Sequence, residues 1–309
     1  GTNGKGSSVA MLESVWRAAG YRVGTYTSPH LECYNERIRI AGSLVDDRAI
    51  CKAFDTVENA RSGVLLTYFE FSTLAALSIF QRSELDIVSR AVGLGGRLDA
   101  VNIVVADVAL ITTIGLDHED WLGSTREKIA LEKAGVMRTG KCAVCSDNEI
   151  PRSLIEVSKK LEVHLDVLAV DYAYEATGTD WSWWSGDTIW PDLPQPNLEG
   201  AHQFRNAAGV LKVIETLSTR HVVTLDSIRR GLASVDLRGR FQRVAGDIEY
   251  VLDVAHNPQA VETFVAALSD LSCPRNTHAL VGMPVSYTHL RAHETLRYLV
   301  CRGVRGKKR

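Results

Sequence analysis

The chain opens with a glycine-rich loop that leads directly into a helix. Residues 1–7 read Gly-Thr-Asn-Gly-Lys-Gly-Ser, and an apolar stripe that includes Val9 and Trp16 predicts a helix over Ser8–Ala19. Glycines let backbone N–H groups approach phosphate oxygens, the start of a helix favours negative charge, and Lys5 can reach the terminal phosphates. This pattern predicts a nucleotide site in an α/β protein.

The loop departs from the general phosphate-loop pattern in two ways. That pattern has a further glycine, which would precede Gly1, and a Ser or Thr directly after the lysine, where this chain has Gly6. A glycine turn without a ligand is therefore the alternative interpretation of the loop taken alone. The strand that normally precedes such a loop is also missing from the sequence, so we expect the chain to begin inside its first domain.

Length and composition indicate the class of protein. A chain of 309 residues favours two domains, and 45% hydrophobic with 23% charged residues is ordinary for a globular protein. No apolar run approaches the roughly 18 residues of a membrane span. The six cysteines are scattered and no secretory signal peptide precedes them, which favours a reducing compartment. We expect a cytoplasmic protein without a membrane partner.

The net charge of −2 conceals a basic C-terminus. Residues 284–309 hold seven Lys and Arg against Glu294, which leaves 28 basic and 36 acidic residues elsewhere, a charge of −8. An acidic body lacks the basic face that attracts nucleic acid, so we expect no such partner. The tail has no strand–helix rhythm and is similar to translated sequencing-adaptor read-through. We interpret residues 284–309 as a non-native tail, and a genuine basic arm is the alternative.

Short apolar runs alternate with amphipathic stretches, which favours an α/β fold with a mostly parallel sheet and helices on both faces. The predicted helices are Phe71–Gln81, Gln203–Leu217 and one around Ser227–Leu232, and the predicted strands are Asp86–Val88, Ala109–Ile114, Lys141–Cys145 and Glu249–Val254.

Three further features concern packing and domain limits. The tryptophan-rich segment Asp171–Trp190 predicts a β-hairpin, and Pro191–Pro196 predicts a break in secondary structure. A domain boundary is expected near Val235–Arg240. Isolated cysteines and histidines without a motif are interpreted as ordinary core or surface residues; these are Cys142, Cys145, His164, His221 and His278.

A series of motifs in one fixed order carries a family resemblance. They are Gly1–Ser7, Thr27–Leu31, Asn35–Ile38, Thr67–Glu70, Val92–Ala100, Gly115–His118, Trp121–Gly123, Glu132–Gly135, His202–Asn206, Gly239–Gln242 and Asp253–Pro258. On these motifs the chain resembles the Mur ligase family and, within it, the folylpolyglutamate synthase branch, from Gly1 to about Met283. The resemblance implies a P-loop Mur-ligase-type ATPase domain over residues 1–236 and the start of a C-terminal α/β ligase domain over 237–283.

The resemblance also implies roles at matching positions. Contacts with ATP are expected from Thr2, Asn3, Gly4, Lys5, Gly6, Ser7, Asn206, Arg240 and Asp253. Two Mg²⁺ sites are expected, with ligands from Ser28, His118 and Lys133. The folate side of the pocket is expected at Thr67, Leu98, Asp99 and Ala100. The expected catalytic residues are Lys5, Lys133 and His256. A helix- or turn-capping role remains the alternative for Asp99 and Asp253.

The chemistry implied by the resemblance depends strongly on positions 133 and 91. Family members carry the lysine matched by Lys133 as a carbamate, and a lysine can capture CO₂ only where burial or nearby cations lower its pKa. The family also has a metal-binding glutamate where this chain has Ala91, preceded by Ser89 and Arg90. This departure removes an anionic ligand and is expected to place a cation beside the metal. Glu70 and Asp117 are the carboxylates that could compensate.

The activity implied by the resemblance is ATP-dependent ligation of glutamate to dihydropteroate or to a folate through an acyl phosphate. Close agreement with the bacterial type favours a bifunctional dihydrofolate and folylpolyglutamate synthase that acts as a monomer. A Mur-type ligase for a cell-wall precursor is one alternative, disfavoured by the Val92–Ala100 motif. A nucleotide-binding protein without ligase activity is the other, and Ala91 is the feature that supports it.

Overall fold

The computed structural model describes residues 4–178, 180–246, 248–271, 277–280 and 282. The tail over 284–309, and with it the interpretation of that segment, lies outside these residues. Helix α1 (Lys5–Ala18) follows the glycine-rich loop as predicted, although it begins before Ser8. Its side chains Met11, Val15 and Trp16 are buried in the largest core of the molecule.

The first sheet follows α1 and combines parallel and antiparallel pairs. Strand β1 (Val23–Tyr26) pairs in parallel with β4 (Ile87–Arg90), and two short antiparallel strands extend the sheet on the other side of β1. In the order of the sheet the strands are β3 (Ser43–Leu44), β2 (Ile38–Ile40), β1 (Val23–Tyr26) and β4 (Ile87–Arg90). Helices α2 (Asp47–Ala60) and α3 (Tyr68–Gln81) pack on each other and on this sheet through a second apolar core.

The second sheet is entirely parallel, as an α/β fold requires. Strand β6 lies between β5 and β7. The strands are β5 (Val108–Ile111), β6 (Cys142–Cys145) and β7 (His164–Val167), and the helices between them in sequence are α4 (Glu119–Leu122), α5 (Arg126–Ala134) and α6 (Arg152–Lys160). The α/β class and its parallel sheet are therefore confirmed.

The predicted strand over Ala109–Ile114 ends earlier than expected. Regular pairing stops at Ile111, so residues 112–114 lead out of the sheet toward the candidate site. The predicted strand Lys141–Cys145 is confirmed, and its two cysteines are free thiols, with Cys145 buried and Cys142 partly buried. Burial raises the pKa of the Cys145 thiol to about 11, which is consistent with a core residue.

The tryptophan-rich segment forms a three-stranded antiparallel sheet. Its strands are β8 (Ala173–Thr177), β9 (Asp180–Ser185) and β10 (Thr188–Pro194). The predicted break at Pro191 is wrong, because β10 continues through it with an irregularity between Trp190 and Leu193. Proline is tolerated there because β10 is an edge strand with one neighbour. Trp181 and Trp183 are buried in the main core, as expected for packing residues.

The remaining elements cover α1 and complete the site. Helix α7 contacts both α1 and the second sheet, and α8 packs along α1. In chain order these elements are α7 (His202–Thr216), α8 (Leu225–Ser234), β11 (Gln242–Val244), β12 (Tyr250–Leu252) and α9 (Pro258–Ser269). The β11–β12 pair is antiparallel, and a domain boundary near 235–240 remains a prediction. Within the described ranges, no helix combines the length and apolarity needed to cross a bilayer.

The crossing of α1 and α8 depends on a glycine. A Cβ atom at Gly231 would lie 2.5 Å from the Cα of Val15 and 2.8 Å from its nitrogen, so backbone meets backbone at this point. We expect Gly231→Ala to force the helices apart and to lower the free energy of unfolding by about 1–2 kcal/mol, net of the gain in helix propensity.

Urea denaturation measures this difference directly. Asp226→Ala, on the exposed side of the same helix, is the matched control and should change stability by no more than about 0.5 kcal/mol. Unchanged stability in Gly231→Ala would show that the two helices can separate without cost.

Candidate active site

The phosphate loop is closed by a side chain from another helix. Gly4 has φ +91°, which favours glycine, and it precedes the first turn of α1. A Cβ at Gly4 would overlap the side-chain oxygen of Asn206 on α7. Gly6 and Ser7 are buried in the first turn of the helix. The structure thus brings Asn206 to the loop, as the resemblance implied; Thr2 and Asn3 lie outside the described residues.

Lys5 lies partly buried at the centre of the candidate site. Burial is the main cause that lowers the pKa of Lys5, and the positive charge of Arg240 acts in the same direction. The carboxylates of Asp117 and Asp99 oppose this shift. Segments that are far apart in sequence therefore converge on Lys5, which is the arrangement needed to bind a group with more negative charge than the protein supplies.

Lys133 on α5 lies in the same buried region. Burial, and to a smaller extent the positive charge of Lys5, lower the pKa of Lys133 to about 7, although the Asp117 carboxylate opposes the change. A large fraction of the Lys133 amine is consequently neutral near pH 7, which is the form that can react with CO₂. This environment satisfies the chemical condition on which the expected carbamate depends.

One expected metal ligand, Ser28, and the position of the absent glutamate, Ala91, lie where two parallel strands end. Ser28 follows β1 and Ala91 follows β4, and the Ala91 N–H donates to the Tyr26 carbonyl at 2.8 Å. A carboxylate at position 91 would therefore be close to Ser28, but Ala91 is buried and offers no ligand atom.

His118 reaches this region from the loop after β5. It has φ +51°, and its Nε2 lies 3.8 Å from Asp117 Oδ1. Asp117 interacts electrostatically with both Lys5 and Lys133, so its carboxylate occupies the middle of the site. Among the described residues there is no group of three or more His, Cys, Asp and Glu side chains that could hold a metal ion.

The side chains gathered here can supply only part of the coordination sphere of Mg²⁺. Mg²⁺ prefers six oxygen ligands, keeps several waters and is commonly bound by one or two carboxylates together with substrate phosphates. Ser28 and Asp117 supply oxygen, His118 supplies an imidazole, and a carbamate on Lys133 would add further oxygen. Phosphate and water would have to complete the coordination.

Two expectations about the neighbourhood of Ala91 are wrong. The Arg90 guanidinium does not extend freely toward the metal ligands, because it donates to the carbonyls of Val101 and Val104 at 3.2 and 3.1 Å. Glu70 cannot compensate, since it is exposed and its carboxylate accepts hydrogen bonds from the Thr67 N–H and hydroxyl. Asp117 is the compensating carboxylate that the structure supports.

The C-terminal motif places Arg240 beside Lys5 through a network of capping bonds. The carboxylate of Asp253 accepts hydrogen bonds from the Phe241 N–H at 2.8 Å and the Ala255 N–H at 2.6 Å. Asp253 therefore orders the turn that carries Arg240, as the capping alternative stated, and any contact with ATP remains a prediction. His256 is partly buried, and its Nδ1 lies 2.9 Å from the Val254 carbonyl.

Asn257 is a site residue that sequence reasoning missed. It is fully buried, caps α9 through its Oδ1, and donates from Nδ2 to Asp117 Oδ2 at 2.8 Å. This bond joins segments 140 positions apart and engages the Asp117 oxygen other than the one that lies 3.8 Å from His118. Its presence in the Asp253–Pro258 motif was the only available signal.

The four expected folate-side residues come from two segments: Thr67 precedes helix α3, and Leu98, Asp99 and Ala100 lie in the loop after β4. Thr67 is exposed and caps α3 in a capping box with Glu70. Asp99 accepts bonds from the backbone N–H groups of Gly93, Leu94 and Val101, so its carboxylate organises the loop. Leu98 is 80% exposed, and Ala100 starts a one-turn 3₁₀ helix. Contacts of these residues with a folate remain predictions.

Comparisons with known proteins place this site in context. No protein-family model matches the chain. The dihydrofolate synthase/folylpolyglutamate synthase of Escherichia coli K12 is 42% identical over 283 residues, which is 92% of this chain and 66% of that protein. The chain therefore spans just under two thirds of this relative.

Solved structures of the same group of enzymes are also similar to this chain. E. coli FolC in complex with DHPP and ADP superimposes with a TM-score of 0.86 at 41% identity, over 91% of this chain and 66% of that chain. A bifunctional folylpolyglutamate synthase/dihydrofolate synthase with Mn, AMPPNP and L-glutamate bound gives a TM-score of 0.81 at 43% identity, over 86% and 64%.

The environment of Lys133 leads to a pH prediction. In ¹³Cε-lysine-labelled protein, one resonance should titrate with a midpoint of about 7 and should be absent from Lys133→Met. The pKa of Lys133 in the folded chain, about 7, is below its ordinary value of 10.5, so the unfolded chain binds the extra proton between these values. The free energy of unfolding should accordingly rise with pH across that window, and less steeply in Lys133→Met. A Lys133 midpoint above pH 9 would contradict the burial argument.

Proposed function

This chain belongs to the dihydrofolate synthase/folylpolyglutamate synthase family, and we propose that it joins L-glutamate to dihydropteroate, to a folate (poly)glutamate or to both. The reaction consumes ATP, passes through an acyl phosphate and releases ADP and phosphate. The observation that carries the proposal is the convergence of a phosphate-loop lysine, Lys5, with Asp117, Lys133 and Arg240 in one partly buried site. The relatives bind ADP, AMPPNP and L-glutamate.

In the first step a carboxylate oxygen of the pteroate or folate acid attacks the γ-phosphorus of ATP, and ADP leaves. Gly4 and the first turn of α1 hold the phosphate chain through backbone N–H groups. Lys5 and Arg240 stabilise the negative charge that builds on the transferred group. Because Lys5 is partly buried, its interaction with that charge is screened less than at an exposed position, and most of the catalysis is electrostatic and positional.

Ser28, His118 and Asp117 would hold Mg²⁺ at this site, and a carbamate on Lys133 would serve a second ion. When bound, the metal neutralises phosphate charge and orients the phosphoryl group. Asn257 keeps Asp117 in place through the bond to its Oδ2, and the near-neutral pKa of Lys133 supports carbamate formation.

In the second step the glutamate amine attacks the acyl carbon, and phosphate leaves. We assign His256 to positioning this amine. Its Nδ1 carries the hydrogen toward the Val254 carbonyl, since a carbonyl oxygen only accepts, and Nε2 is then the basic ring nitrogen. The pteridine end of the acid is assigned to the surface formed by Thr67, Leu98, Asp99 and Ala100.

The setting proposed for this reaction is that of a monomeric, cytoplasmic enzyme with small-molecule substrates only. A second function, nucleotide binding without ligation, is favoured by one observation. Ala91 removes the carboxylate expected beside Ser28, and Asp117 is then the single carboxylate among the proposed metal ligands.

The proposal is tested by ADP release from a chimera in which this chain replaces the matching 283 residues of the E. coli relative. We expect release that depends on glutamate, Mg²⁺ and dihydropteroate or tetrahydrofolate, and at least a hundredfold lower rate, on the order of 3 kcal/mol of barrier, in Lys5→Ala. Arg220→Ala, at an exposed ion pair with Asp107, is the control.

Equal rates in Lys5→Ala and the unsubstituted protein would remove the phosphate-loop assignment. ADP binding without any release in the presence of all substrates would support the nucleotide-binding function instead.

A carboxylate restored at position 91 should strengthen the metal site. In the same protein, Ala91→Glu is expected to lower the Mg²⁺ concentration needed for half-maximal ADP release and to raise the rate by about tenfold, since it adds an anionic ligand near Ser28. Ala91→Gln is the matched control of similar volume. An equal response to glutamate and glutamine would mean that charge at position 91 is irrelevant and that Asp117 suffices.

A further inference from the structure

Helix α7 presents a polar face to the phosphate loop. His202, Arg205 and Asn206 are spaced i, i+3 and i+4, so their side chains share one face of the helix. Asn206 is buried, and its amide fills the space above Gly4 in the loop. The face that carries His202 and Arg205 therefore lies on the side of α7 where nucleotide phosphates are expected.

Three buried nitrogen atoms around this face have no hydrogen-bond partner. They are His202 Nδ1, Arg205 Nε and Arg240 Nε. Buried polar atoms in folded proteins are nearly always paired, and an unpaired guanidinium is costlier than a neutral group. In the described part of the chain, neither arginine makes an ion pair within 4.0 Å. The described residues therefore do not supply hydrogen-bond partners for these three nitrogen atoms.

The charges around these atoms have the same sign. Burial lowers the pKa of His202 to about 4, and the positive charges of Arg205 and Arg240 lower it as well. His202 thus lies in the field of both arginines. The nearest opposing charge on Arg240 is Asp253, whose two oxygens already accept backbone hydrogen bonds. A bound anion would offset the remaining positive charge.

We propose that His202 and Arg205, together with Arg240, form a second wall of the nucleotide site that binds the polyphosphate chain opposite Lys5. This rests on the nucleotide site of the proposed function but not on ligase activity. The Arg205 guanidinium donates to phosphate oxygens, and charge-assisted bonds of this kind are among the strongest in proteins. His202 contributes a neutral ring N–H and avoids adding a third positive charge when the site is empty of nucleotide.

Carboxylates of glutamate or of the folate acid have related chemistry and are the other candidates for this wall. The contact between Asn206 and Gly4 favours phosphate, because it ties the same helical face to the loop whose backbone is suited to phosphate oxygens. A polyphosphate also carries a larger negative charge than a single carboxylate does.

The test is calorimetric binding of AMP, ADP, inorganic tripolyphosphate and L-glutamate to the unsubstituted chain and to Arg205→Gln. We expect ADP and tripolyphosphate to bind Arg205→Gln at least tenfold more weakly, as for loss of one charge-assisted hydrogen bond, and AMP to be affected less. Arg205→Lys should recover part of the loss. Arg220→Gln, at an exposed arginine, should bind all four ligands like the unsubstituted chain.

Thermal unfolding separates a binding role from a structural one. Without ligand, Arg205→Gln should be as stable as the unsubstituted chain or more stable, because it removes a poorly paired charge, while the rise in Tm caused by ADP should shrink. A lower Tm without ligand together with an unchanged rise on adding ADP would overturn the proposal.

Binding results can also overturn it. Equal ADP affinity in Arg205→Gln would remove Arg205 from the phosphate site, and selective loss of L-glutamate binding would assign the wall to carboxylates. If the unsubstituted chain bound neither ADP nor tripolyphosphate, the nucleotide site of the proposed function would fail with it. Failure of Arg205 alone leaves that binding intact.

Discussion

The structure of the site depends on buried positive charge that the protein does not neutralise by itself. Burial lowers the pKa of both Lys5 and Lys133, the positive charge of Lys5 lowers that of Lys133 as well, and the Asp117 carboxylate opposes both shifts. Holding two amines in one buried place is unfavourable unless one loses its proton or an anion binds. Burial, together with the charge of Lys5, gives Lys133 its near-neutral pKa, and a polyanionic ligand would stabilise the folded chain by offsetting positive charge.

The fold maintains this arrangement by bringing several chain segments to one place. Ser28 and Ala91 follow neighbouring parallel strands, whose carboxyl ends meet at the same edge of the sheet. Asp117 comes from the loop after β5, and Asn257 reaches it from the start of α9. Since these contacts link distant parts of the sequence, the site can exist only after the sheets and α7 have packed around α1.

Much of the fold could be predicted from local patterns. The helix after the phosphate loop and the strand at Lys141–Cys145 were evident from apolar periodicity, and both are present. The continuation of β10 through Pro191 was not predicted, because proline usually ends a strand and its edge position is a property of the sheet rather than of the sequence. Strand β1 was missed for a similar reason, since Gly24 and Thr25 interrupt a very short apolar run.

The site residues were predicted from sequence motifs, but a motif does not show which atoms a side chain will hydrogen-bond in the folded chain. Lys5, Lys133 and Arg240 converge as the resemblance implied. The places of Arg90, Glu70 and Asn257 were not predictable, because each depends on which atom a side chain bonds in three dimensions. Arg90 caps a short helix, Glu70 completes a capping box, and Asn257 holds Asp117. Side chains that serve as local caps look the same in sequence as side chains that serve a ligand.

The proposed chemistry is tested most directly by measuring whether an oxygen atom of the reacting carboxylate is transferred to the released phosphate. Dihydropteroate or folate labelled with ¹⁸O in its reacting carboxylate should be incubated with ATP, glutamate and the chimera of this chain with its E. coli relative. An acyl phosphate requires one labelled oxygen to leave with phosphate in each turnover, so singly ¹⁸O-labelled phosphate is the predicted product. Phosphate free of ¹⁸O, formed at the same rate as ligated product, would contradict the acyl-phosphate route.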